Sequence, residues 1–308
     1  MARAGYHWQS WSIRMIRGLS SPSACALFWV LSFGNLTFGE TIRIVGSDFV
    51  GTAFQIDSDK AEKIGSYDVS YKMTGSSLGL LKVKEGYADI AFVLQTADSN
   101  LSTEGLSVIP LGFWGIYFAV KEDNPLNEVK TDALIEIMRK TRDGLKSEWG
   151  TLMPNEPKWS SRLIFVTFAV NESDPSYPVL LNQFFENRVP EKFASLGDRI
   201  QNPYLAGPSN LLIMARLPES DRGLKALGLI APDEDLGYPP TAENLFFGDY
   251  SLRSSLFVVA KDAMDPKVQT FLKDFFENNR QELLEKSGLV FVPENVQKEA
   301  LLEFDLEF

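Results

Sequence analysis

Two kinds of reactive side chain are almost missing from this sequence of 308 residues, which has one cysteine and one histidine. Both, His7 and Cys25, fall within the first 39 residues, a stretch that reads as a removable leader. Residues 40–308 have neither. No Ser-His-Asp or Cys-His nucleophile system can be assembled from such a chain. Zinc sites of the Cys/His kind, thiol redox chemistry and disulfides are excluded with them. Basic charge is scarce as well, with 30 Lys and Arg against 41 Asp and Glu for a formal net of −11. Three of the arginines lie in the leader, so residues 40–308 hold 27 basic and 41 acidic side chains, a net of −14. A nucleic-acid binder needs a basic stripe to neutralise phosphates, and that class is set aside too. Past residue 39 no apolar run approaches the about 20 residues that a membrane span requires. What is present is a chain 44% hydrophobic, long enough to bury a sizeable core and to divide it in two.

The leader has its own grammar. Arg3, Arg14 and Arg17 precede a short apolar run from Ala24 to Phe33. Thr37-Phe38-Gly39 then offers small residues at the −3 and −1 positions of a cut before Glu40. A positive n-region, a short h-region and a small-residue exit are the marks of a secretory signal. Residues 1–39 are therefore expected to be removed, leaving a periplasmic or secreted protein.

The remaining chain alternates strand, loop and helix. Ile42 to Val45 reads as a strand with Gly46-Ser47-Asp48 as its exit loop, and Val50, Ala53, Phe54, Ala61 and Ile64 fall near helical spacing. Val69 to Met73 reads as a second strand. Thr74-Gly75-Ser76-Ser77 opens a helix that Gly86 stops, and Ile90 to Leu94 forms the next strand. Phe113 to Val120 is a long apolar stretch, Thr131 a good N-cap, and Leu163 to Val170 a buried strand. Asn171 to Pro175 opens a further helix, as does Asp265-Pro266. The segment after Pro293 reads as a docked terminal helix. This alternation predicts α/β lobes with largely parallel sheets.

Three strand-to-helix junctions are candidate ligand sites: Gly46 to Asp48, Thr74 to Ser77 and Asn171 to Ser176. At the carboxyl ends of strands, helix N-termini point free N–H groups outward, and neighbouring hydroxyls complete a site for an oxyanion. Gly75, Ser76 and Ser77 make the best of the three, since glycine permits close backbone approach. Asp57-Ser-Asp59 and Asp233-Glu-Asp235 lack the glycine and distal glutamate of a calcium loop and read as solvated acidic faces. Trp114, Trp149, Phe168 and Tyr177 are expected in the core rather than along a cleft.

The run Gly75-Ser-Ser-Leu-Gly through Glu85-Gly-Tyr-Ala-Asp89-Ile-Ala resembles a segment of the periplasmic phosphate-binding proteins, the type 2 solute-binding components of ABC importers. Ile44 to Asp48, Ile109 to Asn124-Pro125, Leu134 to Trp149 and Tyr250 to Leu272 resemble further segments of that family in the same order. The resemblance implies a two-lobed type 2 periplasmic-binding-protein fold with its ligand cleft between the lobes. Lobe one would be residues 40–112 with 245–308, and lobe two residues 113–244. It implies capture of phosphate or a related small oxyanion, a membrane ABC permease as partner, a monomer, no catalysis and no cofactor. Ligand donors would be Gly75, Ser76 and Ser77, then Ser47 and Asp48, then Ser173 and Ser176. The sequence departs from the family at three places, one of them the loop Asn171 to Ser176, which stands where the family has Ser-Gly-Thr. Phe168 stands where the family has an arginine, and Leu94 where it has an acidic ligand residue. An alternative follows: a binding-protein fold that serves as a sensor or protein-interaction module without tight anion binding.

Overall fold

The computed structural model describes residues 41–53, 61–96, 102–186, 207–219, 221–279 and 287–302. All lie in the compact unit Gly39–Phe308. The leader, Phe54, Asp57 and Asp59 lie outside the described residues.

Two mixed sheets organise this unit. The first contains β1 (Ile42–Gly46), β2 (Ala61–Ile64), β3 (Tyr67–Met73), β4 (Ile90–Thr96), β5 (Leu106–Gly115), β13 (Arg253–Lys261) and β14 (Val290–Phe291). Their order is β14-β5-β13-β4-β1-β3-β2. Only its centre is parallel, where β1 pairs with β3 and β4. Helix α2 (Ser76–Glu85) returns the chain across one face between β3 and β4, as a parallel connection requires. Everything else in this sheet is antiparallel. The expectation of largely parallel sheets is corrected here, because β13 arrives from far along the chain and runs against both β4 and β5.

Alternation along the strands sorts two apolar faces. Leu80 and Val83 of α2 pack with Val45, Ala91, Val93 and Val259 on one face. On the other, Ile42, Ile44, Phe92, Trp114, Leu256 and Val258 pack with Val268, Phe271 and Leu272 of α6 (Pro266–Asp274). Asp265 caps that helix by accepting from the Lys267 N–H at 2.9 Å. Gly86 ends α2 in the left-handed region at φ 84°, its N–H turned back to Lys82 and Val83.

Ala61 and Ile64 do not extend α1 (Asp48–Ala53); they lie on β2, hairpinned to β3 through Gly65 at φ 60°. Two apolar residues three apart in so short a segment do not separate helical from strand period, and the turn glycine decides it.

The second sheet contains β6 (Tyr117–Lys121), β8 (Ser147–Glu148), β9 (Leu163–Ala169), β10 (Asn210–Met214) and β11 (Leu224–Ala226), in the order β11-β6-β10-β9-β8. Beside it β7 (Glu128–Lys130) pairs with β12 (Gly228–Ile230). Helices α3 (Thr131–Arg142) and α4 (Tyr177–Phe185) bury Leu134, Ile137, Met138, Leu180 and Phe184 in the associated core, near α5 (Ala242–Phe247). Thr131 is the first residue of α3 rather than its cap, and its hydroxyl donates to the Ile230 carbonyl at 3.1 Å. Phe165 is exposed, so β9 is covered less completely than its apolar sequence suggests. Trp114, Trp149, Phe168 and Tyr177 are all buried. The terminal helix α7 (Glu294–Leu302) docks through Gln297 and Leu301.

The chain passes from the first sheet to the second at Ile116, between β5 and β6, and returns just before β13. The two passages are joined directly. The Ile116 N–H donates to Leu252 at 2.9 Å, and the Tyr250 hydroxyl donates to the Ile116 carbonyl at 2.9 Å.

At the far end of β1 from its exit loop, Asp89 clips β4 to β1. It accepts from the Arg43 N–H at 2.8 Å and from the Arg43 guanidinium at 3.1 and 2.6 Å. Burial pulls the Asp89 carboxyl up, but the side-chain and backbone hydrogen bonds from Arg43, with its charge, together hold it below the ordinary value near 3.8. A depressed carboxyl contributes stability above its unfolded-state pKa and loses it as pH falls through the folded value. Asp89→Asn is therefore expected to cost about 1 kcal/mol at neutral pH. The gap between variant and parent should begin to narrow below about pH 4 and close only once the pH is below the depressed folded value, where both carry a neutral side chain. Thermal melts across pH 2–7 check this, and a gap independent of pH would exclude the ionised clip.

Candidate functional site

Carboxyl ends of β1, β3 and β4 meet the first turn of α2, and this corner gathers most of the residues singled out in the sequence. The Thr74 N–H donates to the Gly46 carbonyl at 2.9 Å, tying the exits of β3 and β1 together. Gly79 lies so close that a Cβ there would stand 3.2 Å from the Gly46 Cα. Gly75 precedes α2 at φ 76°, ψ 159°, a conformation essentially reserved for glycine. With glycine as N-cap, the cap residue offers no side-chain hydrogen bond to the first-turn N–H groups. An α-helix supplies those groups with no internal partner either, so they are open to a ligand and carry the positive end of the helix dipole.

The two serines divide their work. Ser76 donates to the Leu94 carbonyl at 3.0 Å and accepts from the Leu94 N–H at 3.0 Å, which locks the end of β4 to α2. Its proton is committed to the fold. Ser77 is exposed, and its hydroxyl has no hydrogen-bond partner among the described residues. Ser47 is buried: its N–H donates to Phe92, and its carbonyl accepts from Val50, Gly51 and the Tyr71 hydroxyl. Asp48 is exposed at the start of α1.

Ser173 and Ser176 sit on the other sheet, in the loop between β9 and α4. That loop closes on itself. The Asp174 carboxylate accepts from the Asn171 N–H at 2.6 Å, and the Asp174 N–H donates back to the Asn171 carbonyl at 3.0 Å. Burial raises the Asp174 carboxyl above its ordinary range, partly offset by the Asn171 N–H and the charge of Arg216. Ser176 is fully buried, its hydroxyl without a hydrogen-bond partner among the described residues, while Ser173 and Glu172 are exposed. Phe168 faces the buried side of the second sheet, its ring 6.4 Å from that of Phe185. Asp233, Glu234 and Asp235 are exposed, and among the described residues no group of three or more His, Cys, Asp or Glu side chains is placed to hold a metal.

A cavity of about 340 Å³ opens where β4 ends and β13 begins, lined by Gln95, Thr96, Gly248, Ser251, Arg253 and Ser255. It is at the small end of the range for ligand pockets, about 300–1,000 Å³. Ser254 and Ser255 pair with Thr96 and Gln95 across the antiparallel strands. Within the cavity Arg253 Nη1 donates to Ser255 Oγ at 2.7 Å, and Nη2 donates to the Phe246 carbonyl at 3.5 Å. The guanidinium carbon lies 4.7 Å from the centre of the Phe113 ring. Burial lowers the Arg253 pKa, and no carboxylate pairs with it among the described residues. Periodicity does not expose this residue in the sequence. Its signal is an arginine alternating with Ser255 and Phe257 at a strand start.

Solved structures share this architecture. A protein from Planctomyces limnophilus, described as a possible phosphate binding protein, aligns with a TM-score of 0.57 at 14% identity, over 87% of this chain and 99% of that one. PstS from Borrelia burgdorferi aligns with a TM-score of 0.53 at 17% identity, over 82% of this chain and 99% of its own. No family model and no curated protein matches the sequence. The chain has an α/β, two-lobed type 2 periplasmic-binding-protein fold. It is the fold of the phosphate-binding proteins that its sequence segments resemble.

Proposed function

We propose that this chain is an exported solute-binding protein that captures phosphate or a related small oxyanion and delivers it to a membrane ABC permease. One observation carries the reading: the first turn of α2 is uncapped, opens at the carboxyl ends of three strands, and presents the unbonded Ser77 hydroxyl. The helix N–H groups and the Ser77 hydroxyl can all donate, which suits an anion. The fold likeness to a protein described as phosphate-binding supports the ligand class. In this reading residues 1–39 are a removed signal and the protein works as a monomer without catalysis. Residues 40–112 and 245–308 form one lobe, residues 113–244 the other. The ligand closes the lobes only to the extent that it binds the closed form better. Local donors outweigh the distant negative charge, as a lined cleft allows.

Isothermal titration with phosphate and with sulfate tests this directly. Saturable heat is expected, and Ser77→Ala should weaken binding about ten- to a hundredfold, the worth of one hydrogen bond to a charged ligand. The melting midpoint of the free variant should stay at the parent value, since Ser77 is exposed. Absence of heat and of any thermal shift with either anion would sink the proposal.

A second reading is favoured by the loop between β9 and α4. Its carboxylate is turned inward and Ser176 is buried, so the second lobe offers fewer donors than the resemblance implies. A sensor or protein-interaction module without tight anion binding would show that pattern, and the same titrations separate the two.

A further inference from the structure

We propose that Arg253 is the charged clamp of the oxyanion site, holding a small tetrahedral oxyanion such as phosphate or sulfate in the cavity bounded by Gln95, Thr96, Ser251 and Ser255. The inference rests on the binding-protein reading above and deepens it by naming the residue that supplies the charge.

Placement comes first. Along β13, Val259 and Phe257 belong to the apolar cluster that packs under α2. Strand alternation puts Ser255 and Arg253 on that same face, two and four residues further toward the strand start. On β4, Val93 lies in the cluster and Gln95 follows by the same rule. The α2 helix runs antiparallel to the strands it connects, and Ser76 in its first turn is bonded to Leu94. Gln95, Ser255 and Arg253 thus continue the α2 face beyond the open end of the helix. The cavity and the first turn of α2 therefore lie on one side of one sheet.

Charge comes second. A half-buried guanidinium without a carboxylate is costly to bury, and arginines in such positions are ordinarily paired. The groups that do touch Arg253 are a hydroxyl, a long carbonyl contact and an aromatic face, none carrying charge. They fix the plane of the fork and leave its remaining N–H groups without a partner among the described residues. A fork held in this way suits the paired oxygens of a tetrahedral oxyanion, which it binds through two parallel charge-assisted hydrogen bonds. None of the described residues lining the cavity is acidic. Ser251, Ser255, Thr96 and Gln95 add neutral groups able to donate or accept. The chain therefore draws its guanidinium from the first sheet, whereas the position expected to carry one on the second sheet holds the buried Phe168.

The test compares the purified parent chain with Arg253→Gln and Arg253→Lys, titrating inorganic phosphate and sulfate separately. Arg253→Gln should weaken binding about 10- to 100-fold, as expected for charged hydrogen bonds. Arg253→Lys should recover part of that loss, because it keeps the charge without the fork. A measurement on the parent needs no variant to fold: modification of Arg253 by phenylglyoxal, read by peptide mass spectrometry, should slow several-fold with the bound anion and not with chloride. The loss with either anion supports the assignment, and the two affinities say which one is captured. If the parent binds an anion while Arg253→Gln binds it within about twofold, or the modification rate is unaffected, Arg253 is only a packing group and the binding-protein reading survives. If the parent binds neither anion, that reading falls and this assignment with it.

Discussion

Gly46→Ala is expected to destabilise the chain by about 3 kcal/mol or more, enough to leave little soluble folded protein. A Cβ at this position would stand 2.1 Å from the Phe92 carbonyl oxygen and 2.9 Å from its carbon. Both are backbone atoms of the neighbouring strand, so no side-chain rotation relieves the overlap. The backbone at φ 149° is also one that side chains rarely adopt. Relief requires β1 and β4 to separate at their carboxyl ends, which costs the Ser47-to-Phe92 hydrogen bond and loosens the seat of α2, through Gly79, on Gly46. The open helix turn therefore depends on a glycine one strand away. Denaturant unfolding of the purified variant, or its recovery in the soluble fraction, checks the expectation. A midpoint close to that of the parent would mean that the strands accommodate the methyl group and that the corner is looser than described.

That glycine was visible in the sequence as part of an exit loop, and much of the corner was equally legible. Gly75-Ser76-Ser77 reads as a helix start because glycine followed by small hydroxyl residues interrupts a strand pattern, and α2 begins there. The roles within the motif were less accessible. Ser76 looks like a donor for a ligand, yet its hydroxyl is taken by Leu94, which lies 18 residues on. Asp89 sits in the most family-like segment of the chain, and its work is to hold Arg43 at the opposite end of the strand. Arg253 was hidden for a topological reason. Gln95 and Thr96, which line the same cavity, lie more than 150 residues away, and only the antiparallel pairing of β13 with β4 brings them together. Local pattern predicts which face of a strand a residue takes. It does not predict which strand lies beside it. The loop between β9 and α4 illustrates the same limit, since no local pattern announces that Asp174 is turned inward to its own backbone.

Tyr250→Ala should be the largest loss from a side-chain truncation near the sheet crossings, about 4 kcal/mol, whereas Tyr250→Phe should cost about 1–2 kcal/mol. The ring is fully buried, and its centre lies 6.0 Å from that of Tyr117. Removing it deletes apolar contact area and opens a cavity between the two passages of chain, both of which cost stability. The hydroxyl contributes separately: it is the donor to the Ile116 carbonyl at 2.9 Å, and Phe would leave that buried oxygen without it. Urea unfolding of the three proteins measures both contributions, and equal losses in the two variants would mean that the hydrogen bond, not the packing, holds the crossing. Binding then supplies the functional comparison. Tyr250 does not line the Arg253 cavity, so the Phe variant should keep oxyanion affinity within about threefold while its stability falls. An affinity that drops in step with stability would place the crossing in the closing motion itself. Ile116 and Leu252 would then form the pivot on which the anion acts, rather than a fixed pin behind it.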